Sequence, residues 1–552
     1  GLVFLFLLSF YRVLGVIAGI ALIVYGILFF AVTKFLGFTF TLPGIAGLVL
    51  TLSVAADANI VIFERIKEEV RAGRSMKAAI ATGYQKGFSA ILDANVVTIM
   101  VAFILFVLAT SGVRGFAAAL GLGTIVSLFT AVMATSAILG LLAGWKGLER
   151  RSVLGVSQTA TQRWHFDFMG NANKFFSLSG TILLIGSLGI AGIGLNLGID
   201  FTGGTRVTTG LVKPATEAQV RAVFSEVGAG GAKIQRITGN TELGRYAFQA
   251  SSDKIGPGDV SRIRQTLDQR FIIRGTTERD KRFDVQAVGP TFGAVVARSA
   301  VIAIIFSLLV IGAYVSLRFS PKFSIPVLIG LVHDILITVG VYALIGREVT
   351  SATVAALLTI LGFSLYDAII VFDRIRENMP RMPRAAFSQI VNRSMSEVFT
   401  RSLATSFVTA LPVTALLLFG GQTLKDFAFA LLVGTISGAY SSIFISSPVL
   451  THWKEREPIF KQRRERIMSE NDGKVPAFAV ETIGGVAVHP RAEIAVGPAK
   501  REPASVAGKA SANGSDDEDL PDESVPAGGV SRPTTKAERR AARQRRKHGR
   551  PN

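Results

Sequence analysis

Long apolar runs separated by short charged ones fill the first 450 or so residues. Gly1 to Phe10 reads as the second half of a membrane helix. Fuller spans follow at about 14–32, 42–63, 91–108, 116–143 and 176–195, then at 300–317, 325–345, 354–372, 403–419 and 427–450. Each is close to the ~20 residues that cross a bilayer. Between 198 and 290 the period changes. GIDFTGGTRVTTGLV suits a strand, and Val220, Val223, Phe224 and Val227 recur at helical spacing behind Thr216 as cap. Strand-like runs follow at 234–237 and 246–250, then a helix marked by Val260, Ile263 and Leu267, then FDVQAV as a last strand. That βαββαβ order predicts a ferredoxin-like module. The expected fold is therefore a polytopic α-helical membrane protein. It has two pseudo-symmetric helix bundles, of about 5 and 6 spans, and one α+β ferredoxin-like extracytoplasmic insert.

Charge orients this pattern. The 552 residues carry a formal net charge of +20, and Arg and Lys crowd the loops 64–87, 145–174, 318–322 and 373–401 and the segment after Trp453. All fall on one side of the spans, which the positive-inside rule makes cytoplasmic, so the insert lies on the opposite face. The basic residues then act as orientation signals and as a surface facing anionic lipids; no nucleic acid partner is expected. Cysteine is absent, which excludes disulfides and thiolate metal sites. No GxxxxGK[ST] loop, nucleophile–base pair or metal-ligand cluster occurs, so neither enzyme activity nor a cofactor or metal is expected. Residues 470–535 have a disordered composition. The basic end, KAERRAARQRRKHGR, reads as a solvated tail, with contact to anionic lipid or ribosomal RNA as the sharper alternative. Because Gly1 lies inside an apolar run, the chain is expected to be a fragment of something longer.

Two acids stand out at membrane depth: Asp57 in VAADANIVIFERIKE and Asp367 in FSLYDAIIVFDRIREN. An acid there costs several kcal/mol or takes up a proton, which makes it a functional candidate. Residues 42–143 lie over 352–450 as an internal repeat, as transporter folds often do. Asp57 precedes Phe63 by six residues but Asp367 precedes Phe372 by five, so the acids are related without being equivalent. Asp57 carries a proton or holds helices together by a hydrogen bond; Ser364 and Tyr366 offer Asp367 local partners. Asp93 and Asn95 line a polar path or cap a helix, and His333-Asp334 forms a structural hydrogen bond or a relay. Arg65 and Arg374 mark the cytoplasmic interface. In GIDFTGG, the residues Gly198, Asp200, Gly203 and Gly204 shape the turn from membrane to insert.

LPGIAGLVLTLSVAADANIVIFERIKEE and ILDANVVT resemble the membrane half of SecD, and FDFMG, GIDFTGGT, LVHD, GFSLYDAIIVFDRIREN and TRSLATS resemble SecF, in SecF order. The chain resembles a fused SecDF of the resistance-nodulation-division superfamily. That resemblance implies 1–145 as a SecD-like membrane bundle whose first span is truncated, 146–163 as a cytoplasmic linker and 164–197 as the start of the SecF-like part. It further implies 198–297 as the extracytoplasmic domain, 298–457 as the SecF-like bundle and 458–552 as a disordered cytoplasmic tail. It implies an accessory to the SecYEG channel, in the bacterial cytoplasmic membrane, that spends the proton-motive force on late preprotein export. The partners it implies are unfolded preproteins, a YidC-type insertase and a YajC-type subunit. Asp57, Asp367 and Arg401 map onto the family's proton pathway; Asn59, Asp93 and Thr98 belong to SecD motifs, and His333 and Asp334 to SecF. An acid near hydroxyl and amide groups suits Na+ as well as H+, and the resemblance favours H+. An efflux or lipid transporter of the same superfamily and a non-transporting scaffold are the alternatives.

Overall fold

The computed structural model describes residues 2–38, 41–109, 111–144, 154, 166–237, 243–275, 282–479, 481–483 and 486–488. Among them, ten helices are long and apolar enough to cross a membrane, beside one shorter apolar helix. That short helix, α1 (Leu2–Tyr11), folds back on α2 (Val13–Phe35). Gly15 allows the contact, since a Cβ there would lie 2.1 Å from the Leu7 carbonyl oxygen. Both faces of α2 are apolar: Ala18, Ala21, Tyr25 and Phe29 are buried, while Ile20, Ile23, Ile27 and Phe30 are exposed. A helix hydrophobic all round belongs in lipid.

The first bundle continues with α3 (Leu42–Arg71), α4 (Met76–Leu108), α5 (Ser111–Phe129), a π-helical turn at Thr130–Ala134 and α6 (Thr135–Leu142). The second opens with α7 (Ala172–Gly192). After the insert it resumes with α11 (Pro290–Arg318), α12 (Pro321–Ile345), α13 (Ser351–Asn378), α14 (Phe387–Phe419) and α15 (Gln422–Ser441), a second π-helical turn at Ser442–Ser446 and α16 (Ser447–Lys454). The repeat is thus visible in its irregularities, because each bundle breaks its last helix with a π turn. The bundles meet reciprocally: α3 packs against α14, and α13 against α4. α3 and α13 are the most enclosed spans, 72% and 89% buried over their apolar windows.

The insert holds α8 (Ile199–Thr202), β1 (Gly204–Leu211), α9 (Glu217–Glu226), β2 (Lys233–Ile237), β3 (Tyr246–Ser252), α10 (Pro257–Phe271) and β4 (Phe283–Val288). The sheet runs β2-β3-β1-β4 and every pairing is antiparallel, the ferredoxin-like arrangement expected. Thr216 caps α9 in a capping box with Gln219. Val207, Phe224, Phe248, Ile263 and Leu267 share the core.

Several boundaries differ from expectation. The segments 64–87 and 373–401 are helical rather than loops: α3 and α4 are joined by Ala72–Ser75 and α13 and α14 by Met379–Ala386. Charged residues form helices readily once ion pairs satisfy them, so each span extends beyond its apolar window. The stretch read as a strand from Gly198 begins instead with the helical turn α8. α11 starts at Pro290, so the insert ends before 297; proline at a helix start fixes the boundary. The region from 458 is not disordered at its beginning. α17 (Pro458–Glu470) sets Phe460 edge-to-face against Phe387, with ring centroids 5.0 Å apart, and Gln389 and Asn392 donate to the carbonyls of Pro476 (3.1 Å) and Ala477 (2.9 Å). The 146–163 linker, apart from Leu154, the tail from 489 and the basic end lie outside the described residues. Glu481–Val488 contributes a short hairpin, β5 (Glu481–Ile483) with β6 (Val486–Val488), a unit by itself.

Candidate functional site

Asp57 sits in the middle of α3, beside Ala55, Ala56 and Ala58, where small residues let α14 approach. The Thr405 hydroxyl donates to its Oδ1 at 2.6 Å, and Tyr366 of α13 lines the same cavity as Asp57. One helical turn before Thr405, Arg401 projects from the same face of α14; Asp367 follows Tyr366 on α13. All three charged groups are buried, and Asp57 and Asp367 each feel the charge of Arg401. Among the described residues, Asp367 Oδ1 and the Nε and Nη2 atoms of Arg401 have no hydrogen-bond partner. Two acids and one cation, pairing incompletely, thus share the seam between the bundles. The seam also holds a cavity of about 30 Å3, lined by Asp57, Asn95, Thr98, Tyr366, Thr405 and Thr409. That volume admits water beside the Asp57 carboxyl.

The other polar candidates separate into distinct places. Asn59, on the far face of α3 from Asp57, donates to the Ala55 carbonyl (2.8 Å) and accepts from Thr135 (2.7 Å) beside the first π turn. Asp93 lies mid-helix and caps nothing; it is paired across the bundles with Arg318 of α11 at 2.8 Å and accepts from Tyr314 at 3.1 Å. Thr98 reaches the cavity. His333 and Asp334 form a second buried centre: Asp334 accepts from Ser364 (2.6 Å), Ser437 (2.6 Å) and Ser441 (2.8 Å), with His333 Nδ1 at 3.1 Å. Ser364 therefore serves Asp334 rather than Asp367, and Tyr366 lines the cavity beside Asp57.

Eight residues below Asp57, about 12 Å along the helix, Arg65 is more than an interface marker. It contacts Glu68 at 3.0 Å and Glu377 at 3.2 Å, while Arg374 contacts Glu377 at 2.9 Å and Glu68 at 3.6 Å. The cross is reciprocal, so Arg65 is the counterpart of Arg374 and Glu68 that of Glu377. On that register Tyr366, not Asp367, occupies the place of Asp57.

At the end of the spans next to the insert, Asp200 Oδ2 accepts from both the backbone N and the Oγ of Ser351, at 2.8 Å each, capping α13. Gly203 and Gly204 have φ of +74° and +121°, and a Cβ on either would lie within 2.8 Å of backbone from Pro290 or Ser252. Gly198 donates to the Val349 carbonyl at 2.9 Å. All four residues sit at the junction between insert and membrane.

Family comparisons agree with this architecture. Residues 270–456 match "Protein export membrane protein SecD/SecF, C-terminal", 189–215 match the "SecD/SecF GG Motif", and 3–169 match the MMPL family. The SecF protein translocase subunit of Desulfurispirillum indicum is 35% identical over 314 residues, which are 55% of this chain and 97% of that protein. The chain belongs to the SecD/SecF family. Fused relatives extend the match: SecDF of Bacillus subtilis is 34% identical over 476 residues, covering 83% of this chain and 63% of the relative. The crystal structure of SecDF from Thermus thermophilus, described as a translocon-associated membrane protein, superposes with a TM-score of 0.74 at 33% identity, over 82% of this chain and 61% of that one. The chain thus spans about three-fifths of these SecDF relatives.

Proposed function

We propose that this SecD/SecF chain is the membrane part of a protein-export factor that draws on the proton-motive force. It would act in the bacterial cytoplasmic membrane beside the SecYEG channel, with a YidC-type insertase and a YajC-type subunit, on unfolded preproteins. The basic ends of its spans would face the cytoplasm and anionic lipid, with the insert outside. The observation that carries the reading is the burial of Asp57, Asp367 and Arg401 together at the seam of the two bundles. A proton arriving through the cavity onto Asp57 cancels its attraction for Arg401 on the opposite bundle. The seam then has two arrangements, and a gradient that loads the proton on one side and releases it on the other cycles between them. Protons rather than Na+ are proposed because charge cancellation at a carboxyl requires no coordination shell.

The test compares export of a secreted reporter by cells carrying this protein and by cells carrying its Asp57→Asn and Asp367→Asn forms, with and without an uncoupler. Asparagine keeps an oxygen to accept from Thr405 but cannot carry the proton. Loss of export in either variant, with the residual rate insensitive to uncoupler, is expected. Full export by both would leave only a scaffold that holds channel and insertase together.

A further inference from the structure

Glu348 lies in the connection between α12 and α13, remote from the acids at the seam, and is 8% exposed. Its carboxylate takes Arg206 Nη2 from β1 on one oxygen and Gln249 Nε2 from β3, at 2.7 Å, on the other. β1 and β3 are the two middle strands of the sheet, and Arg206 and Gln249 lie on the face opposite Val207 and Ala250, which pack into the insert's core. Arg206 also reaches Gln286 of β4 at 3.4 Å, so one buried carboxylate gathers three strands. Around it, Val349 N donates to the Asn196 carbonyl at 2.8 Å, Lys233 Nζ holds the Asn196 side chain at 2.9 Å, and Asp200 caps α13. Gly198 leaves the room required, since a Cβ there would stand 2.6 Å from Glu348 Oε1. On its inner side the same loop is fixed to the second bundle, where Arg347 pairs with Asp426 of α15 at 2.9 Å.

We infer that Glu348 gears the insert to the second bundle, so that the two travel as one body relative to the first. Charge-assisted bonds in a water-poor junction hold direction as well as distance. α13 runs uninterrupted from Ser351, beside this junction, to Asp367, sixteen residues or about 24 Å away. A shift of the second bundle at the seam therefore reaches the insert undiminished. The inference rests on the proposed function for what drives the shift, and not for the rigidity of the junction. Glu348 is a positioning residue: it touches neither the proton site nor a client.

The absence of cysteine allows paired spin labels on the full chain in lipid nanodiscs. A Gln265→Cys/Phe419→Cys pair reads the insert against the second bundle, and a Leu36→Cys/Phe419→Cys pair reads one bundle against the other. The first pair is expected to give a narrow distance distribution that Asp57→Asn does not move. Glu348→Ala should widen it about two-fold, the result of leaving Arg206 without its partner, and the exchanged pair Arg206→Glu/Glu348→Arg should narrow it again. A distribution equally narrow without Glu348, or one that shifts in Asp57→Asn, overturns the gearing. The second pair reports separately on the proton reading: if it fails to move in Asp57→Asn, the proton switch falls while the gearing stands or falls on the first pair.

Discussion

Thr405 shows how much of the seam depends on one hydroxyl. It donates to Asp57 at 2.6 Å from the helix that also carries Arg401, so the same α14 face offers Asp57 a hydrogen bond and a counter-charge. A hydrogen bond to a charged, buried acceptor is among the stronger ones, about 1.5–3 kcal/mol. Thr405→Ala removes it and should lower reporter export about tenfold at equal expression, whereas Thr405→Ser keeps the donor and should stay near the parental rate. Equal rates in both variants would show that Asp57 works without this partner. Residue-level reading of the sequence found Asp57 and Asp367 because acids are conspicuous in apolar runs, and Arg401 only through the resemblance of TRSLATS to SecF. It could not find Thr405, Ser437 or Ser441, since hydroxyls are common in membrane helices and only their partners distinguish them.

At the scale of elements, close contact between helices rests on glycine. Gly186 of α7 and Gly340 of α12 face each other so closely that a Cβ on Gly340 would stand 2.9 Å from the Gly186 Cα. Backbone-to-backbone contact of this kind holds membrane helices together where no hydrophobic effect operates between them. Gly340→Val should therefore push α7 off α12, at a cost of about 1–3 kcal/mol. A melt in detergent should fall by several degrees, and an unchanged melting temperature would mean that the pair contributes nothing. The π turns at Thr130–Ala134 and Ser442–Ser446 belong to the same scale. Each lies next to a buried polar partner, Thr135 bonded to Asn59 in one bundle and Ser441 bonded to Asp334 in the other. π turns are frequent at functional sites, and neither had a signal in the sequence, because one extra residue in a helical turn leaves hydrophobic periodicity almost unaltered.

For the whole molecule, the distribution of charge makes a topological prediction. Cysteine placed at Gly73, in the short connection between α3 and α4, should react with an impermeant maleimide only from the cytoplasmic side. Cysteine at Gln265 on α10 should react only from the outside. Labelling of both from one side would refute the assigned orientation. The reciprocal cross of Arg65, Glu68, Arg374 and Glu377 also belongs at this scale, since it ties the two bundles together where their spans leave the apolar windows.

The sequence by itself determined the number and order of spans, the βαββαβ insert, the repeat and the family, because these rest on hydrophobic periodicity and on motifs read along the chain. It also singled out the acids, since a charge in an apolar run is costly wherever the run folds. Tertiary structure alone decided who pairs with whom. Asp93, read as a cap or a path residue, is the partner of Arg318 across the bundles; Asp334 is a hub for three serines; and Glu348, in an unremarked loop, joins insert to membrane. The physical reason is that a hydrogen bond or ion pair depends on distances of about 3 Å between residues far apart in sequence. Such distances are set by how helices cross, which no local pattern encodes.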